Sequence, residues 1–295
     1  MVERRIHTED EHGIAPDGLG LDDDYAGERD LPVQQVRSAD GTLIAYEKSG
    51  RGEPVVVLGG GLNDRGMFYP FANLMSENFT VYNCDRRGRG DSGMGDLDGY
   101  VIEREVEDLA AVVEAVEKDT GQTPYVFANC TGGQIVILAA AAGVPMKKLG
   151  LYEPPYWSRP ATTEQIEEIR RLNEAGDHDG AVALFGRDVV GFVTDETIDG
   201  FRQHPAWQAF LANAPSTYYD AIISRDHTQI PHEALAKISA PTLIIRGELT
   251  VRGIFDAMEK VVDELADAKL VTMEEVGHLY DQKRVAPIMT EFFQS

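Results

Sequence analysis

Tyr125-Val126-Phe127-Ala128-Asn129-Cys130-Thr131-Gly132-Gly133-Gln134-Ile135-Val136-Ile137-Leu138 is the stretch whose reading decides the fold. An apolar, aromatic-rich strand halts at a cysteine, and an alanine-rich helix starts directly after it. Ala128 lies two residues before the cysteine, and Gly132 and Gly133 lie two and three after it. A bend this tight forces its central residue into a strained conformation and brings neighbouring backbone into contact, so the flanking side chains must be small. Such a bend lifts the Cys130 side chain out of the sheet at a helix N-terminus, where main-chain amides favour an anion. The expectation is an enzyme whose nucleophile is sulfur.

Outward from this bend, strands and helices alternate. Val33–Ser38 and Leu43–Lys48 read as two short strands joined by the turn Ala39-Asp40-Gly41. Pro54–Leu58 is a continuous β-branched run ending in Gly59-Gly60-Gly61, as suits a strand buried on both faces. Further strands are expected at Phe79–Cys84, Leu149–Tyr152, Pro241–Arg246 and Lys269–Met273, and helices at Met67–Glu77, Glu103–Glu117, Ile254–Leu265 and Val285–Phe293. The alternation predicts an α/β fold: a mostly parallel, doubly wound sheet flanked by helices. Residues 154–239 have a helical, irregular pattern and read as an inserted helical lid. The core then comprises 31–153 and 240–295. Residues 1–30, rich in Asp, Glu and Gly without an apolar period, read as an acidic N-terminal arm.

Composition narrows the function classes. The net charge of −23 argues against nucleic acid and against anionic membrane surfaces, both of which would repel the chain. The sequence has no run of about 18 apolar residues, the length a membrane span needs. Met1–Asp10 is charged rather than signal-like, and two cysteines do not make a disulfide framework. A cytoplasmic home is therefore expected. The histidines show no zinc-like spacing, and Gly59–Gly61 is not followed by the Gly-Lys-Ser/Thr of a phosphate loop, so no metal and no cofactor is expected. The expected partner is a small-molecule substrate, and homo-oligomerisation is left open.

With these residues in view, the chain from about Val33 to its C-terminus resembles an α/β-hydrolase. Ala128-Asn129-Cys130-Thr131-Gly132 is similar to the G-x-S-x-G nucleophile elbow, with cysteine for serine. Leu58-Gly59-Gly60-Gly61, with Phe68 downstream, resembles the family's H-G-x loop, with glycine at 59 in place of the usual histidine. Asp85-Arg86-Arg87-Gly88-Arg89-Gly90-Asp91-Ser92 resembles the D-x-R-G-x-G-x-S turn, and Val276-Gly277-His278 resembles the late G-H that carries the base. Leu151-Tyr152-Glu153-Pro154-Pro155 is similar to a bacterial branch with Y-E-P-P after the strand that follows the elbow.

The resemblance implies a nucleophile–base–acid relay of Cys130, His278 and Glu153. Many members place the acid in G-x-x-D after the penultimate strand. Here that stretch is Gly247-Glu248-Leu249-Thr250, so Glu153 is the substitute, as in some haloalkane dehalogenases, and Glu248 is the runner-up. The plainer readings are a small buried cysteine, a loop histidine and a glutamate that caps the turn before Pro154. The backbone N–H of Thr131 and, by resemblance, that of Gly61 are expected to hold the oxyanion. Of the lid aromatics, Trp157, Trp207, Phe210 and Tyr219 are expected to line an apolar substrate pocket, although many of these rings should only pack the lid. A cysteine nucleophile implies a thioester intermediate. Water would release it, as in the dienelactone hydrolases of this fold, giving an ester, thioester or lactone hydrolase. Interception by another nucleophile would give an acyltransferase or cyclase, and a non-catalytic ligand-binding protein is the reading from a different class.

Overall fold

The computed structural model describes residues 31–295 except Trp157, Ser158, Phe192 and Tyr280. The acidic arm expected at 1–30 lies outside the described residues. Eight strands form one sheet: β1 (Val33–Arg37), β2 (Leu43–Gly50), β3 (Pro54–Leu58), β4 (Thr80–Cys84), β5 (Tyr125–Asn129), β6 (Leu149–Tyr152), β7 (Thr242–Gly247) and β8 (Ala268–Met273). Their order is β1-β2-β4-β3-β5-β6-β7-β8. β1, β2 and β4 pair antiparallel, and every pairing from β4 onward is parallel.

The β-branched runs are the reason for this layering. Every residue of β3, β4, β5, β6 and β7 is buried, so both faces need covering. On one face the apolar stripes of α2 (Glu103–Thr120), α3 (Thr131–Ala141) and α10 (Arg252–Glu264) bury Leu109, Val113, Ile135 and Met258. On the other, α1 (Tyr69–Met75) and α11 (Gln282–Gln294) bury Phe71, Met75, Met289 and Phe293. The sheet is thus doubly wound, as the sequence predicts.

Between β6 and β7 the chain forms α4 (Thr163–Glu174), α5 (His178–Leu184), α6 (Asp195–Arg202), α7 (Trp207–Ala212), α8 (Thr217–Asp226) and α9 (His232–Leu235), with a π-helical turn at Phe185–Val190. This helical block is tied to the core by ions. Arg86 donates to Glu105 of α2 at 2.7 Å and to Asp220 of α8 at 3.0 Å, and Arg89 donates to Asp220 at 2.5 Å, all of them buried. Arg86 and Arg89 of the 85–92 turn thus tie that turn to α2 and α8. Arg87 does the same with Asp108 and Asp40.

Candidate active site

Three strand ends meet at the carboxyl edge of the sheet, and each delivers one member of the expected relay or its support. β5 runs into Cys130, which takes φ +48° and ψ −129° and caps α3. The bend is as crowded as its small residues imply. A Cβ on Gly132 would lie 2.6 Å from the Gly59 carbonyl oxygen, and one on Gly60 would lie 2.7 Å from the Cys130 Cβ. The Cys130 amide donates to the Tyr152 carbonyl at 2.8 Å, locking the bend to β6. Backbone strain is concentrated here. The described non-glycine residues with positive φ are Leu62, Cys130, Glu153 and Glu275, and all four belong to loops around this edge.

Glu153, directly after β6, is fully buried. Its Oε1 accepts the Gly247 amide at 2.7 Å, and its Oε2 accepts the Thr250 hydroxyl at 2.8 Å and shares 2.6 Å with His278 Nδ1. Thr250 occupies the slot where the family's G-x-x-D acid is expected, so the residue that displaces the usual acid instead supports the substitute. Glu248 is exposed, and its carboxylate accepts the Glu275 amide at 3.1 Å, turned to the loop rather than to His278. The His278 loop is held at close quarters. The Tyr152 hydroxyl donates to the Gly277 carbonyl at 2.6 Å, and a Cβ on Gly247 would come 2.2 Å from the Val276 carbonyl.

His278 borders the same cavity as Cys130, and the two act on each other electrostatically. Burial alone would raise the thiol's pKa, but the positive charge of His278 overrides it, helped by hydrogen bonds from His278 and Thr131, and the thiol ends below its ordinary value. Burial would likewise push the imidazole down. The Cys130 charge and hydrogen bond, followed by those of Glu153, reverse this and hold His278 well above its usual value. The arrangement therefore favours a thiolate–imidazolium pair backed by a carboxylate. Cys84, the other cysteine, is buried among apolar residues and raised by that burial. It ends β4, which β3 separates from β5, and both cysteines are free thiols.

A cavity of about 210 Å³ opens on this cluster. Gly61 and Thr131, the expected oxyanion donors, border it beside Cys130 and His278. Arg86 fixes the loop that carries the first of them by donating to the Gly60 carbonyl at 3.0 Å. The histidine missing at position 59 has a steric reason, since a Cβ there would meet the Phe68 ring at 2.9 Å. Trp207 and Phe210 line the cavity. Tyr219 does not. It is buried against Tyr100, with ring centroids 4.3 Å apart, and its hydroxyl donates to the Met94 carbonyl, so it packs α8 onto the 85–102 segment. Trp157 lies outside the described residues. Thr250, Tyr152, Asn129 and Asp220 were not singled out as site residues. Of these, only Thr250 carried a signal, being a hydroxyl in the slot where an acid is usual.

A strained cysteine after β5, a buried glutamate after β6 and a histidine after β8 stand at one edge of an eight-stranded, mostly parallel sheet. The alpha/beta hydrolase family model matches residues 55–287. The chain belongs to the alpha/beta hydrolase family. It is 35% identical to an alpha/beta hydrolase from Sphaerobacter thermophilus, with a TM-score of 0.79 over 88% of this chain and all of that one. It is 24% identical to the AB hydrolase superfamily protein YisY of Bacillus subtilis, over 88% of this chain and 98% of that protein. A thermophilic esterase from Thermogutta terrifontis shares the fold at 22% identity and a TM-score of 0.70, over 89% of this chain and 98% of the esterase. Among the described residues, no helix is long and apolar enough to cross a membrane, and no group of three or more His, Cys, Asp or Glu side chains could hold a metal ion.

Proposed function

We infer that this member of the family is a hydrolase of activated carbonyl compounds (esters, thioesters or lactones with a small apolar or aromatic part) working through a thioester on Cys130. The observation that carries this reading is the His278 imidazole 2.6 Å from the buried Glu153 carboxylate, bordering the same cavity as Cys130. The Cys130 thiolate attacks the carbonyl carbon, and the electron pair moves onto the carbonyl oxygen, which the Gly61 and Thr131 amides receive in this reading. Collapse of that intermediate expels the alkoxide or thiolate, which takes the proton from His278. Water then gives its proton to His278, attacks the thioester and returns the thiol and the free acid. Glu153 keeps the ring in register and stabilises its charged form without itself taking the proton.

The apolar walls supplied by Trp207, Phe210, Phe201 and Val182 favour a hydrophobic substrate part. Acyl transfer or cyclisation would use the same intermediate with a substrate amine, alcohol or carbon nucleophile in place of water. A purely binding role is disfavoured, because a buried carboxylate–imidazole–thiol chain on strained backbone has no use in holding a ligand. The test is turnover of S-phenyl thioesters with and without added amine or alcohol acceptors. Hydrolysis without acceptors and its loss in Cys130→Ala support the reading, whereas full activity in that variant refutes it.

A further inference from the structure

Three consecutive glycines, Gly59, Gly60 and Gly61, leave the loop after β3 without side chains to hold its peptide planes, and glycine has the freest backbone of any residue. Close approach demands them. A Cβ on Gly60 would lie 2.7 Å from the Cys130 Cβ, and one on Gly61 would lie 3.2 Å from Asp220 Oδ2. The peptide unit joining Gly60 to Gly61 therefore sits beside the nucleophile with nothing of its own to fix its tilt. Its carbonyl end, on Gly60, accepts Arg86 Nη1 at 3.0 Å. Its N–H end belongs to Gly61, which borders the cavity, and among the described residues this amide has no acceptor. The unit is planar and trans, so its two ends point in opposite directions and a hold on the carbonyl sets the aim of the N–H.

Arg86 is itself fixed from two sides. Its Nε and Nη2 donate to the two oxygens of Glu105 on α2, both at 2.7 Å, and Nη2 also donates to Asp220 on α8 at 3.0 Å. The side chain is 1% exposed. A guanidinium is a rigid planar fork, so fixing Nε and Nη2 fixes the direction of Nη1 as well. Both carboxylates are anchored in turn, Glu105 by the Tyr100 hydroxyl at 2.6 Å and Asp220 by Arg89 at 2.5 Å. A charged donor on the Gly60 carbonyl also polarises the peptide unit, which strengthens its N–H as a donor. In the D-x-R-G turn the motif arginine is Arg87. Position 86 is the variable x, so an arginine there is a choice of this chain and not of the motif.

We propose that Arg86 is a positioning residue for the oxyanion: gripped by Glu105 from the core and by Asp220 from the helical block, it sets the tilt of the Gly60–Gly61 peptide so that the Gly61 N–H meets the charge developing on the substrate carbonyl oxygen. The proposal rests on the covalent reading, which makes Gly61 a donor in the acylation step. The experiment uses two reactions of the same thiol. Acylation of Cys130 by an S-phenyl thioester builds negative charge on a carbonyl oxygen. Alkylation by iodoacetamide displaces iodide from a saturated carbon and builds no charge there. The ratio of the two rates within one sample reports the oxyanion donors, because unfolded protein or a generally damaged elbow slows both reactions.

Arg86→Lys keeps the charge and loses the fork. Removing an oxyanion donor outright costs about 10²- to 10³-fold, so misaiming one should lower the acylation-to-alkylation ratio by about 10-fold or more. The loss should fall on the acylation rate at saturating thioester and leave the half-saturating concentration unchanged. Arg86→Met combined with Glu105→Gln removes one charge of each sign and strands no ion in the core, which covers the case of a single variant that fails to fold. It should lower the ratio at least as far. A wild-type ratio in either folded variant, or a loss confined to the half-saturating concentration, overturns the positioning role and leaves the covalent reading standing. Alkylation of the wild-type thiol without any acylation removes the covalent reading and the positioning role with it.

Discussion

Replacing Glu153 with glutamine probes the relay at its most exacting point. The carboxylate has three donors converging on it: the Gly247 amide at 2.7 Å, the Thr250 hydroxyl at 2.8 Å and His278 Nδ1 at 2.6 Å. Glutamine is nearly the same size but has one acceptor oxygen and one donor group. Whichever way it turns, its NH₂ faces a donor, either the Gly247 amide or the His278–Thr250 pair. The negative charge that helps hold His278 protonated is lost as well. A hydrogen bond to a charged group contributes about 1.5–3 kcal/mol, so kcat/KM for an S-phenyl thioester falls roughly 10- to 150-fold. Where the ring adopts the wrong tautomer, the loss approaches the roughly 10⁴-fold seen when a triad acid becomes its amide. Thr250→Val removes one neutral donor to the same oxygen and calibrates the scale at roughly 3- to 10-fold. The assay is stopped-flow release of thiophenol, with thermal unfolding run alongside to show both variants folded. Wild-type acylation in a folded Glu153→Gln protein would refute the claim that this carboxylate orients the base.

Three further outcomes follow from the same geometry. In the intact protein, alkylation of Cys130 by iodoacetamide should titrate below the ~8.5 of a free thiol and level off until His278 loses its proton near about 10. In His278→Ala, only the Thr131 hydrogen bonds still oppose burial and the midpoint should move upward from that of the intact protein, so an unchanged midpoint would show that the imidazole does not set the thiol. Gly60→Ala places a methyl where the Cys130 Cβ is 2.7 Å away, and displacing the nucleophile by part of an ångström should lower turnover by up to about 100-fold. Wild-type kcat in that variant would show the loop to be looser than its contacts imply. With a net charge of −23, the folded chain repels itself, and raising salt from ~0.1 M to ~1 M shortens the screening length from about 10 Å to about 3 Å. The melting temperature should rise over that range, and a flat or falling trend would show that the acidic groups are balanced by local pairing.

The parts of the fold governed by local pattern were open to reading. Continuous β-branched runs such as Pro54–Leu58 and Thr242–Gly247 announce buried parallel strands, and both lie where expected to within a residue or so. The stretch expected as one helix over Met67–Glu77 instead splits. Asp64 caps a 3₁₀ turn at Arg65–Phe68, and α1 starts afresh with Pro70 in its first turn. α11 begins three residues earlier than its apolar period, because Asp281 caps it from outside that period.

In the site, motif spacing singles out Cys130 and His278 as candidates, while contacts between distant segments stay hidden. Tyr219 looked like a pocket aromatic because periodicity does not say which neighbour a ring meets, and its partner, Tyr100, lies far back in the chain. The same blindness concealed Asp220, whose pairing with Arg86 and Arg89 spans more than 130 residues. Thr250 was visible only as a missing acid, since a hydroxyl's service to Glu153 depends on β6 and β7 ending side by side.

The most direct test of the account is the mass of the peptide containing Cys130 after brief exposure to an S-phenyl thioester and acid quench. An added acyl group on Cys130, absent from Cys130→Ala and forming more slowly in Glu153→Gln, is the result expected. Turnover with the acyl group on Thr131, or with no adduct on Cys130 at any time point, would contradict sulfur as the nucleophile.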